Sequence, residues 1–153
     1  MLFLCTGNSA RSQIAEALLN RKGGGRFVAE SAGSQPAARA SPHALAALEA
    51  SGLAWGGRPP RAIDAVADEP WDMVITVCDR AKESCPILPG QPVVAHWGMA
   101  DPAEVQGDEA TVRRAFEETL ALLGRRIDLL VALPVDQLDR VALQQRISAI
   151  GAP

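Results

Sequence analysis

Three kinds of side chain in this sequence have the chemistry to act on an anion: the cysteines Cys5, Cys78 and Cys85, the arginine Arg11, and Asp101 followed by Pro102. Cys5 opens the run Cys5-Thr6-Gly7-Asn8-Ser9-Ala10-Arg11-Ser12. Arg11 carries a planar, permanently charged fork that suits a tetrahedral oxyanion. In the same positive field Cys5 is expected to titrate at about 3.5–7.5 instead of about 8.5, and a hydrogen bond from Ser12 would favour the thiolate further. Gly7 takes a positive φ freely and Asn8 tolerates one, so the backbone N–H groups from Thr6 to Ser12 can turn toward one anion at a helix start. An oxyanion held there lies against the sulfur, in position for in-line attack. A buried structural cysteine beside a capping serine is the bland alternative. It fits a lone Cys-x5-Arg better than it fits this run with Gly7, Asn8 and Ser12 in place.

The second group is Cys78-Asp79-Arg80-Ala81-Lys82-Glu83-Ser84-Cys85-Pro86. Two cysteines seven apart span two helical turns or a loop. A zinc site would ask for four ligands and a shorter spacing, and only His96 is near in sequence. A pair of inert thiols is the other alternative. A redox relay is the better reading, because Cys78 ends a strand expected to run parallel to the one feeding Cys5. Asp101-Pro102 taken alone is a turn.

These residues need elements to place them. Met1-Leu2-Phe3-Leu4 is a short buried strand, and Ser12–Lys22 reads as a helix with Ile14, Ala17 and Leu18 on one face, stopped by Gly23-Gly24-Gly25. Residues 26–32 read as a second strand ending at Gly33. Ser41-Pro42 starts a helix, with serine as cap and proline in the first turn; Leu45 and Leu48 face inward and Gly52 ends it. His43, in its first turn, reads as a solvated surface histidine. Residues 53–70 are irregular, with Trp55 packing. Trp71–Val77 is the strongest strand, ending at Cys78, and residues 92–97 form another, closed by Gly98. Apolar spacing at Val112, Phe116, Leu120, Leu123, Ile127 and Leu130 predicts a long amphipathic helix over 109–133, which Gly124 weakens by roughly 1 kcal/mol. After Pro134, residues 136–150 form a last helix carrying Leu138, Val141, Leu143 and Ile147. Strands alternating with helices predict an α/β sandwich, with a parallel sheet between helices on both faces. Ligands in such sheets bind beyond the carboxyl ends of the strands, where Cys5, Cys78 and the segment after His96-Trp97 all fall.

The length of 153 residues suits one domain, 1–153, with 134–153 as an added C-terminal helix. With 48% hydrophobic and 22% charged residues it has the composition of a soluble globule. No apolar run reaches membrane-span length and no signal peptide is evident. A net charge of −3 offers no footprint for nucleic acid, so anion binding must be local to the loop. An odd cysteine count argues against a secreted disulfide framework and for the cytosol. A monomer is expected.

The strand followed by Cys-x5-Arg-Ser resembles the anion loop of low-molecular-weight protein tyrosine phosphatases. The wording CTGNSARSQIAEA, with CDRAKESCPILPG and HWGMADPAE further on, resembles more closely the thioredoxin-coupled arsenate reductases of the same fold. The resemblance covers roughly residues 1–130. It implies a central four-stranded parallel sheet and reduction of arsenate to arsenite without a cofactor or metal. It further implies a nucleophilic, a resolving and a shuttling cysteine, matched in order by Cys5, Cys78 and Cys85, and an Asp101 that gives a proton to the leaving oxygen. Phosphate and sulfate would compete, and thioredoxin would restore the thiols; some relatives use glutaredoxin with glutathione, or mycothiol. Some relatives bind potassium beside the loop. Asn8, Glu16 and Ser31 would correspond to ligands, but Arg61 stands at the remaining carboxylate position, so no potassium is expected. Two other functions compete: a tyrosine phosphatase, which would not need Cys78 or Cys85, and a non-catalytic oxyanion-binding or redox-sensing protein.

Overall fold

The structure, a computed structural model, describes residues 1–152. Four parallel strands, β1 (Leu2–Cys5), β2 (Glu30–Gly33), β3 (Met73–Thr76) and β4 (Val93–His96), form one sheet in the order β2-β1-β3-β4. Leu2, Phe3 and Leu4 are fully buried, and successive strand residues face opposite sides, so both faces of β1 are covered. On edge strand β4 the alternation is cleaner: Val93 and Ala95 are buried while Val94 is exposed.

The helices are α1 (Arg11–Lys22), α2 (Pro42–Ala50), α3 (Asp79–Ser84), α4 (Glu109–Val131) and α5 (Arg140–Gly151), with short 3-10 turns at Ile63–Ala65, Pro102–Glu104 and Val135–Gln137. Three of these helices, α2, α4 and α5, start from a polar side-chain cap. The Ser41 hydroxyl accepts from the Ala44 N–H, Asp108 from Thr111, and Asp139 from Ala142. α1 packs against β1, β2, α2 and α4. It is therefore buried almost all round, with Gln13 and Glu16 inside as well as Ile14, Ala15, Leu18 and Leu19. α3 rests on β1 and β3, and α5 on β4 and α4.

Several boundaries differ from the sequence reading, each for a local reason. Residues 26–29 do not join β2. Ala29 satisfies its own N–H and C=O on the Asn20 side chain (2.8 and 3.0 Å), and Arg26 reaches across to the Val131 and Leu133 carbonyls. The Val28 carbonyl accepts from the N-terminal ammonium (2.8 Å) and the Arg26 N–H donates to the Gly23 carbonyl (3.0 Å), so this backbone is bonded without a strand partner. The last helix begins at Arg140 because Asp139 caps it, which turns Val141 outward to 67% exposure and leaves Leu138 half-buried. α5 also closes the sheet edge: the Gln144 amide pairs with both the N–H and the C=O of Val94, occupying groups that would otherwise template another strand. On α2, Ala44 and Leu48 are buried and Leu45 only half so. His43 does more than face water: its ring stacks on Phe116 at 5.3 Å and Nε2 lies 3.2 Å from Glu109.

Candidate active site

The loop between β1 and α1 is held from outside by its carbonyls. Those of Cys5, Thr6, Gly7 and Ser9 accept from the N–H groups of Ser34, Gln35, Ala37 and Ser41 at 2.8–3.1 Å, and that of Asn8 accepts from Gln13 Nε2. With the carbonyls engaged outward, the peptide N–H groups are the polar groups left to turn inward. Asn8 takes φ 51°, the one left-handed residue of the loop. Gly33 lets β2 approach: a Cβ there would lie 2.4 Å from the Thr6 carbonyl oxygen and 2.9 Å from the Asn8 nitrogen.

Cys5 is 2% exposed. The Asn8 N–H donates to its sulfur at 3.2 Å and Ser12 Oγ lies 2.9 Å away. Because Asn8 Nδ2 donates to that hydroxyl (2.9 Å), the Ser12 proton is free to point at the sulfur. The titration expected from sequence is nonetheless reversed in the resting site. Burial pushes the Cys5 thiol up, and Ser12, the Asn8 N–H and Arg11 pull it down without overcoming that. Arg11 has the smallest part in this, and its guanidinium donates to the Met99 carbonyl (3.1 Å) and pairs with Asp101 at 3.4 Å. Asp101 in turn caps the 3-10 turn that follows, accepting from the Ala103 N–H. Its proline makes the turn the sequence suggested, and the turn aims the carboxylate at Arg11.

Register places the other cysteines. Leu4 pairs with Thr76, so β1 and β3 end side by side, and Thr6 Oγ1 lies 3.2 Å from Cys78 Sγ. Cys5, Arg11, Cys78 and Asp101 open on one cavity of about 480 Å³, together with Met99 and Glu104. Among the described residues no aromatic side chain lines it. Cys78 is also the N-cap of α3, its sulfur accepting from the Ala81 N–H at 3.4 Å. Cys85 stands outside the cavity at the far end of that helix; burial pushes its thiol up as well.

The polar groups behind the loop are arranged differently from the sequence expectation. Asn8 Nδ2 also donates to Ser31 Oγ, and its Oδ1 accepts from the Arg61 main-chain N–H. The cation facing Glu16 is Arg58, with Nε 2.9 Å from the carboxylate, whereas the Arg61 side chain turns to Glu30 and the Ser31 carbonyl. Burial pushes the Glu16 carboxyl up, and Arg58 acts against it. Arg58 carried no motif in the sequence, and Met99 and Glu104 lie within HWGMADPAE without a role of their own there. The helix between the cysteines did leave a signal in Asp79 at its first turn followed by Arg80, Ala81, Lys82 and Glu83, all but the aspartate good helix formers.

Residues 1–143 match the family model described as low molecular weight phosphotyrosine protein phosphatase. An arsenate reductase of Bacillus subtilis is 34% identical over 125 residues, covering 82% of this chain and 89% of that one. The crystal structure of an arsenate reductase from Archaeoglobus fulgidus superposes with a TM-score of 0.68 at 36% identity, over 86% of this chain and 98% of that one. A thioredoxin-dependent arsenate reductase of Corynebacterium glutamicum superposes with a TM-score of 0.55 at 29% identity, over 84% of this chain and 61% of that one. The chain belongs to the low molecular weight phosphotyrosine protein phosphatase family, and within it groups with the arsenate reductases.

Proposed function

We propose that this protein is an arsenate reductase in which Cys5 attacks the oxyanion and a cysteine relay carries the oxidation outward to thioredoxin. The observation that carries the reading is the shared cavity: two cysteines from neighbouring strand ends, with Arg11 and Asp101, face one small space. A phosphatase needs only one of those cysteines, and the relatives named arsenate reductase support the second one's having a use.

The first step balances as Cys5–SH plus HO–AsO3²⁻ giving Cys5–S–AsO3²⁻ plus water. Burial keeps the thiol protonated in the empty site, so it ionises by handing its proton to the docked arsenate dianion, and that proton leaves with the departing hydroxyl as water. Arg11 and the loop N–H groups hold the substrate oxygens, and Asp101, at the mouth, is positioned to pass the proton to the departing hydroxyl. Cys78 thiolate then attacks Cys5 sulfur. The S–S bond forms, the S–As bond breaks, and arsenic leaves with two electrons as arsenite. Cys85 next attacks Cys78 and releases Cys5. Across α3 the two cysteine Cα atoms are about 10 Å apart along the axis, beyond the roughly 4.4–6.8 Å of a disulfide. The helix must therefore unwind for that exchange, and doing so brings the disulfide out of the cavity floor to where a protein can reduce it. The thioredoxin-dependent relative supports thioredoxin as the reductant, and such a cycle belongs in the cytosol. One chain holds all three cysteines, so a monomer suffices.

The cavity without aromatic walls, in a chain with no tyrosine, favours an inorganic oxyanion over an aryl phosphate. Phosphate and sulfate should compete with arsenate, and aryl phosphate hydrolysis should be slow. Arsenate-dependent NADPH oxidation in the presence of thioredoxin and thioredoxin reductase tests the proposal; aryl phosphate turnover that outpaces it would favour a phosphatase.

A further inference from the structure

His96 ends β4, and its ring bridges two elements. Nδ1 lies 2.8 Å from Thr76 Oγ1 and Nε2 lies 2.9 Å from Asp79 Oδ1. The strand side of this bridge is rigid. Thr76 is buried and pairs in register with His96, and the next residue, Trp97, is fully buried with its indole N–H on the Ile147 carbonyl. Gly98 leaves the ring its place, since a Cβ there would sit 2.6 Å from Nε2. The other side is α3. Among the described side chains, Asp79 makes the only hydrogen bond from α3 to a residue of the sheet. Asp79 is the first residue of the helix, directly after Cys78.

We infer that His96 is a positioning residue for the relay: through Asp79 it latches the start of α3 and sets how readily the helix unwinds to bring Cys85 to Cys78. The inference rests on the arsenate reductase reading for its purpose, though not for its geometry. The step it controls is an internal exchange. Cys85 thiolate attacks Cys78 in the Cys5–Cys78 disulfide, the Cys78–Cys85 bond forms, and Cys5 leaves as thiolate. One proton in effect passes from Cys85 to Cys5, and no outside oxidant or reductant takes part. A wound α3 keeps Cys78 facing Thr6 and the cavity while arsenite is being expelled. An unwound one serves only the later step.

The test separates these steps. In His96→Ala, amide hydrogen exchange at Ala81 and Lys82 should rise about threefold to tenfold, the factor that one net hydrogen bond is worth. In a single turnover with arsenate and no thioredoxin, conversion of Cys5–Cys78 to Cys78–Cys85 should speed up by a similar factor while the arsenite burst keeps its rate. His96→Gln, which retains a donor that can reach Asp79, should restore slow exchange. Asp79→Ala, at a side chain 88% exposed, should raise α3 exchange as His96→Ala does and covers the case in which that variant fails to fold. Unchanged exchange in both alanine variants, or a transfer slowed in His96→Ala, would overturn the latch. Absence of an arsenite burst from the unmodified protein would instead overturn the arsenate reading, and the exchange measurement would still decide the latch.

Discussion

The loop carrying Cys5 and the helix carrying Cys78 and Cys85 lie at the same edge of one sheet, yet they are held very differently. Asn8 alone makes five hydrogen bonds, to Cys5, Ser12, Ser31, Gln13 and Arg61, and the loop carbonyls on either side of it are tied to the segment after β2. α3 has six residues, a sulfur for its N-cap, and a single side-chain hydrogen bond to the sheet among those described. Attack on an oxyanion needs donors fixed before the substrate arrives. A disulfide that must travel needs a segment of low local stability. One sheet edge supplies both, because the loop is built on the central strand β1 and α3 lies on the surface beyond β3.

If that contrast is sound, changes in the loop should act on the chemistry all or none. Cys5→Ser should leave arsenate reduction below about one per cent, because a serine hydroxyl stays protonated and the site has no base placed to activate it. Steady-state assays check this, and activity of several per cent would remove Cys5 as the first attacker. The network behind the loop should be costly to break. Glu16 is fully buried against Arg58, so Arg58→Ala should destabilise the protein by about 3 kcal/mol, toward the lower end of what an orphaned buried charge costs. Glu16→Gln added to it should recover most of the loss in thermal unfolding. A cost under about 1 kcal/mol would mean that this pair does not support the loop.

The pH dependence sharpens the electrostatic side. Burial raises the Cys5 thiol in the empty site. Its alkylation should therefore have a midpoint above about 8.5, the value of an unperturbed cysteine. The sign for stability follows. The folded state keeps its proton where the unfolded chain has lost it, so this contribution is present at lower pH and is lost as pH rises above the ordinary cysteine range. An alkylation midpoint below 7 would restore the thiolate that the sequence alone suggested.

That reversal marks where the sequence was and was not readable. Hydrophobic runs and glycine and proline punctuation were enough to place all four strands and the helices α1, α2, α4 and α5 to within a few residues, because these are local signals. The anion loop was readable because Cys5, Gly7, Asn8, Arg11 and Ser12 stand together in the chain. What was not readable depended on distance in space. The depth of Cys5 depends on the elements packed over β1. The engagement of Arg11 depends on Met99 and Asp101. The choice of Arg58 over Arg61 at Glu16 depends on how the irregular segment 53–62 returns beside Gly33, where Ala62 forms an isolated bridge. Residues 26–29 looked like strand by composition and lost that pairing to Asn20, a side chain with no periodic signature.

Disulfide mapping after one turnover without thioredoxin tests the order of the relay most directly. The unmodified protein should release one arsenite and end as Cys78–Cys85. Cys85→Ser should release one and stop at Cys5–Cys78, and Cys78→Ser should release none. A Cys5–Cys85 bond in the unmodified protein, or a full arsenite burst from Cys78→Ser, would contradict the account.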